Sequence, residues 1–140
     1  MKLSSSIWLT SVSLLLVLGL TVSSCSRKIS FPISEVLPAA EGSFKIKRDK
    51  NKNYLIDLEV SNMAPPDRLQ PPRSTYVVWV ETDEGTKNIG RMNISGKLNG
   101  SLETVTPFKP TRLFITAEDD AAITNPGMQV VLRTEKFHVK

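Results

Sequence analysis

Two periodicities divide the chain. From Ile7 to Leu20, "IWLTSVSLLLVLGL" is a fourteen-residue apolar run broken only by small polar side chains, with Lys2 ahead of it. A spanning helix needs about 20 apolar residues to cross roughly 30 Å of hydrocarbon, so this run has the dimensions of an export signal. From Phe44 onward the period is two. Phe44 and Ile46 alternate with Lys45 and Lys47, and after the turn "RDKNKN" the apolar Tyr54, Ile56, Leu58 and Val60 alternate with Asp57 and Glu59. That pattern predicts a β-hairpin with one wet face.

"MAPPDRLQPPRS" follows, and its four prolines rule out a helix or a central strand. "TYVVWVETDEG" is nearly all β-branched or aromatic, as suits a central strand buried on both faces and ending at Gly85. "KNIGRMNIS", "GSLETVT", "TRLFITAE" and "MQVVLRTEKFHV" complete the set, punctuated by Ser95-Gly96, Asn99-Gly100 and "DDAAITNPG". The sequence therefore predicts an all-β domain, a single immunoglobulin-like β-sandwich of about seven strands over residues 43–140, with no helical stripe. Residues 26–42, with Pro32 and Pro38, read as a tether. The apolar Ile29, Phe31, Ile33, Val36 and Leu37 leave open that part of this tether packs on the domain as an extra strand.

The apolar run ends in Leu20-Thr21-Val22-Ser23-Ser24-Cys25, which holds the chain's one cysteine. This hexapeptide resembles the lipobox of bacterial lipoproteins, with Val22 three residues before the cysteine and the small Ser23 and Ser24 between. The resemblance implies removal of residues 1–24 as a signal peptide, lipidation of Cys25, and residues 25–42 as the lipidated cysteine and its tether. Each buried CH₂ contributes about 0.8 kcal/mol, so several acyl chains make an anchor where one is marginal. A lone cysteine forms no intramolecular disulfide, and a catalytic thiol would need a base within reach. Ser26-Arg27-Lys28 follow the cysteine. In enteric-type sorting an Asp directly after the cysteine retains a lipoprotein at the inner membrane, so the resemblance implies an outer-membrane address facing the periplasm.

A second resemblance lies in the strands. "YVVWV" before a Gly turn, then "NIG", then "LFITAEDDAAITNPG" look like the extracytoplasmic C-terminal domain of the anti-sigma-K-factor family, with Tyr76, Trp79, Gly85, Gly90, Thr116, Glu118 and Pro126 matching. It covers roughly residues 54 to 132. Asp119-Asp120 stand where that family has glycines, and its sigma-binding and zinc-binding domain has no counterpart in this chain. The resemblance implies the sandwich fold and carries no sigma-factor inhibition with it.

Composition narrows the rest. With 40% hydrophobic and 23% charged residues the chain is globular in type, and 140 residues suffice for one domain. The formal +4 is concentrated in Lys45, Lys47, Arg48, Lys50 and Lys52 against Asp49, a basic hairpin rather than a basic face, so no nucleic-acid partner is expected. That hairpin could meet lipid headgroups or a polyanionic envelope polymer, or simply keep the domain soluble. Glu118-Asp119-Asp120, together with Asp83-Glu84 on a neighbouring turn, is a candidate Ca²⁺ site, weighed against a solvated loop that blocks edge pairing. Trp79 and Tyr76 read as core, with a sugar-stacking groove as the alternative. Asn93-Ile94-Ser95 and Asn99-Gly100-Ser101 match the glycosylation pattern and read as turns, while "APPDRLQPP" reads as a rigid crossover.

One histidine, His138, stands two residues from the end, so no zinc pair and no Cys–His couple is available. No catalytic residue, cofactor or metal is expected. The functional expectation is a membrane-anchored envelope lipoprotein acting as a non-catalytic interaction or structural module, with carbohydrate or envelope-polymer binding as the alternative.

Overall fold

The structure is a computed structural model and describes residues 26–140. Cys25 and the export signal lie outside the described residues. Eight strands form one antiparallel sheet in the order β1-β2-β3-β6-β5-β4-β7-β8. They are β1 (Arg27–Ser30), β2 (Glu41–Arg48), β3 (Tyr54–Ser61), β4 (Thr75–Thr82), β5 (Gly85–Ile94), β6 (Gly100–Thr106), β7 (Arg112–Glu118) and β8 (Val130–Arg133). A 3₁₀ turn, Pro66–Arg68, is the one helical element among the described residues.

The sheet folds over on itself at β5. Gly85 to Met92 pair with β4, whereas Asn93 and Ile94 pair with β6. Ile89 is an extra residue in the β4 ladder, because Val78 faces Gly90 while Trp79 faces Asn88. Such a bulge bends the strand and sharpens its twist. Gly90, at φ +134, supplies the conformation the bend needs, and the Asn88 Oδ1 atom accepts its amide at 2.9 Å. One layer is thus β1-β2-β3-β6 with the end of β5, and the other is the start of β5 with β4, β7 and β8. Taking β2, β3, β4, β6, β7 and β8 as strands A, B, C, E, F and G, this is immunoglobulin connectivity, with β5 serving both layers in turn.

The core between the layers follows from the period-two positions. In β3 the buried Tyr54, Ile56, Leu58 and Val60 alternate with exposed Leu55, Asp57 and Glu59. They meet Phe44 and Ile46 of β2, Tyr76, Val78 and Val80 of β4, and Leu113 and Ile115 of β7. A second apolar cluster lies on the far side of the β4-β7 layer. There Val77, Trp79 and Phe114 are covered by Ala121 and Ile123 of the β7-β8 loop and by Val130 at the start of β8.

Two elements differ from the sequence reading. Arg27–Ser30, read as tether with an extra strand left open, pairs with β2 as an edge strand. The continuation through Phe31 and Pro32 then crosses the open side of the sandwich, where the Ser34 hydroxyl donates to the Val131 carbonyl of the opposite layer. The last strand is also shorter than "MQVVLRTEKFHV" suggests. After Arg133 the Thr134 hydroxyl accepts the Leu113 amide in place of a ladder partner, and the chain turns away to seat Phe137 on Phe44 at 5.4 Å.

Candidate functional site

The acidic run is dispersed. Glu118, the last residue of β7, turns inward, 8% exposed, while Asp119 and Asp120 lie past the strand end and stay outside. Trp79 Nε1 donates to Thr116 Oγ1 at 2.8 Å, the Thr116 hydroxyl donates to Glu118 Oε1, and the Gly127 amide donates to the same oxygen at 2.7 Å. A Cβ on Gly127 would stand 2.7 Å from the Glu118 Oε2 atom, so only glycine lets the loop approach this closely. Glu118 is therefore the clasp that holds the β7-β8 loop over Trp79. Asp119 pairs with Arg73 at 2.8 Å, and Asp120 accepts the Ala122 amide at 2.9 Å.

Asp83-Glu84 are not neighbours of this run, contrary to expectation. Thr75 pairs with Glu118 and Glu81 with Arg112, which puts the β4-β5 turn at the opposite end of the strand, about 25 Å away at 3.3 Å per residue. The calcium site is thereby lost as geometry, and no metal-holding group of acids, His or Cys occurs among the described residues.

Neither aromatic is available for stacking on a sugar. Trp79 is fully buried, and it packs beneath the β7-β8 loop rather than between the layers, its ring 6.3 Å from Phe114. Tyr76 faces the inter-layer core, and its hydroxyl donates to the Ala64 carbonyl at 2.9 Å, pinning the Pro-rich crossover. Burial pushes its phenol up to about 12. Contrary to expectation, neither sequon is itself a turn: Asn93 lies in β5, and Asn99 closes the turn Ser95–Asn99 just before Gly100 and Ser101 open β6. The His138 carbonyl accepts from Arg27 at 2.7 Å, and its imidazole is on an exposed residue.

What the sequence did not expose is a groove on the outer face of the β1-β2-β3-β6 layer, about 860 Å³ in volume. Strand register builds its floor. Ser30 faces Ser43, Ser43 faces Glu59, and Glu59 faces Ser101, so four strands contribute one row of short polar side chains. Phe31, Pro32 and Ile33 form an apolar wall where the chain leaves β1, and Ser95 and Asn99 form the far rim. Ile33 is 85% exposed at the mouth. Hydroxyls and a carboxylate on a flat floor beside an apolar wall can take an extended ligand by many short hydrogen bonds. No nucleophile–base pair occurs among the hydrogen bonds of the groove's described residues.

The basic hairpin stands at the other end of the same layer. Arg48, Lys50 and Lys52 are exposed around a tight tip, in which Asp49 accepts the Asn51 and Asn53 amides at 2.8 and 2.9 Å. Lys52, at φ +66, holds the left-handed corner of that turn. From Arg48 to Ser43 the strand runs roughly 17 Å, which sets the tip cations apart from the groove floor, while Lys28 lines the groove itself. Comparison with protein-family models, curated proteins and solved structures returned no match.

Proposed function

We propose that the chain is a bacterial lipoprotein, held through lipid on Cys25, whose sandwich is a non-catalytic interaction module of the cell envelope. An outer-membrane position facing the periplasm belongs to the same reading. The lipobox resemblance supports the anchor. The resemblance to the anti-sigma-K extracytoplasmic domain supports no more than the sandwich. The observation that carries the binding role is the groove, an open trough of aligned Ser30, Ser43, Glu59 and Ser101 on the outer face of its layer.

A second reading, binding of a hydroxyl-rich carbohydrate or envelope polymer, is favoured by that lining, because Ser, Asn and Glu side chains exchange hydrogen bonds readily with sugar hydroxyls. It is weakened by the burial of Trp79 and Tyr76, which leaves Phe31 as the aromatic of the groove.

Two measurements test the proposal. Intact mass of the mature protein is expected to start at Cys25 with acyl chains attached; a start at Ser26, or an unmodified thiol, removes the anchor. Cross-linking in intact cells, comparing the native chain with Cys25→Ser, is expected to capture one dominant protein whose yield depends on Cys25. Recovery of the monomer alone would favour the polymer reading.

A further inference from the structure

We propose that the pole of the sandwich carrying the β2-β3 hairpin docks on an anionic lipid surface, so that the domain lies against the bilayer with its groove directed away. Position gives the first argument. Arg27 pairs with Ile46, so the start of β1 lies at the hairpin end of β2. Cys25 precedes Arg27 by two residues, and two extended residues reach about 7 Å. With Cys25 lipidated as proposed above, a reading on which this placement rests, a sheet that starts this close to the anchor has no room to stand off the membrane. It has to present whatever that pole carries within about 10 Å of the headgroups, one Debye length at 0.1 M salt.

Charge gives the second argument. Register brings several segments to the same pole: Arg48 faces Tyr54, Tyr54 faces Thr106, and Phe137 bonds the Thr111 carbonyl. Arg27, Arg48, Lys50, Lys52, Lys109 and Lys136 are all exposed there. Of the acids at this end, Asp49 is tied into the hairpin turn and Glu81 is paired with Arg112 at 3.2 Å. Asp83 and Glu84 sit on the β4-β5 turn of the other layer, and Glu135 precedes Lys136. The cations are therefore densest at the hairpin pole, where the anchor joins. The opposite pole mixes Glu35, Glu41, Asp67 and Asp120 with Arg68 and Lys97. An anionic surface thus attracts the first pole more than the second, which sets orientation as well as distance.

The test uses residues 25–140 with Cys25→Ser, which contain the entire sandwich and no lipid. Its outcome is therefore independent of whether Cys25 is acylated in cells, which intact mass reads separately. Flotation is expected to recover the protein with vesicles of phosphatidylglycerol and phosphatidylcholine at 0.1 M salt, and neither with phosphatidylcholine alone nor at 1 M salt. Lys50→Gln with Lys52→Gln is expected to lower partitioning roughly 30-fold, at about fivefold per cation. Arg68→Gln with Lys97→Gln, at the groove pole, is expected to leave it unchanged. Absence of binding to anionic vesicles, or equal losses from both pairs, would overturn the proposal. So would binding of soluble polyphosphate with no binding of vesicles, which would make the pole a polymer site instead.

Discussion

The two layers of this sandwich obey different rules. In β3 buried and exposed residues alternate, so the layer of β1, β2, β3 and β6 keeps one face in water. In β4 every residue from Tyr76 to Val80 is buried, because the β7-β8 loop roofs the outer face of its layer. The difference teaches where function has room. The roofed layer spends both faces on stability, and its chemistry, the Trp79-Thr116-Glu118 chain of hydrogen bonds, is structural. The open layer needs only one face to fold, which leaves the other for charge and for the groove.

The sharpest break of this comparison is Trp79→Ala, which opens a cavity in the roofed face and is expected to cost about 3–5 kcal/mol in urea unfolding. Val105→Ala on the open face should stay within about 0.5 kcal/mol. Similar losses from both would mean that the layers do not differ. Glu118→Ala comes next, at about 2–3 kcal/mol, since it strands the Thr116 hydroxyl and the Gly127 amide without an acceptor. Gly127→Ala should destabilise the same loop by steric contact, and faster hydrogen exchange confined to residues 119–129 would reveal it.

A smaller effect is expected at high pH. The folded-state value of Tyr76 lies above the unfolded value of 10, so its contribution is complete below pH 10 and is lost as pH rises through about 12. Stability should fall by roughly 2 kcal/mol across that window. In Tyr76→Phe the fall should shrink, and an unchanged pH profile would show that the phenol is not the titrating group. The smallest effect belongs to Lys45→Ala and Glu103→Ala, within about 0.5 kcal/mol of the native stability because both side chains are on the wet face.

Much of the fold was legible because periodicity encodes faces. The hairpin Phe44 to Val60, the buried run Tyr76 to Val80 and the strand Gly100 to Thr106 stand where alternation and β-branching put them. Trp79 is the exception within that run, since Tyr76, Val78 and Val80 share one parity and face the core while Trp79 takes the other. What was not legible is what register alone creates. Ser30, Ser43, Glu59 and Ser101 are scattered in the chain and become a row only when four strands align. Consecutive acids misled in turn, because Glu118 ends β7 buried while Asp119 begins the exposed loop. Strand β1 was visible only as Ile29 and Phe31 among polar neighbours, too short a pattern to separate from a tether.

The central claim is that the open face of the β1-β2-β3-β6 layer, and not the roofed layer, meets the partner. A photo-activatable residue placed at Ser43 in the groove, or at Ala122 on the roof, in cells carrying the native Cys25, tests it most directly. The account predicts a discrete cross-linked species from position 43 and none from position 122. Equal capture from both positions, or capture from 122 alone, would contradict it.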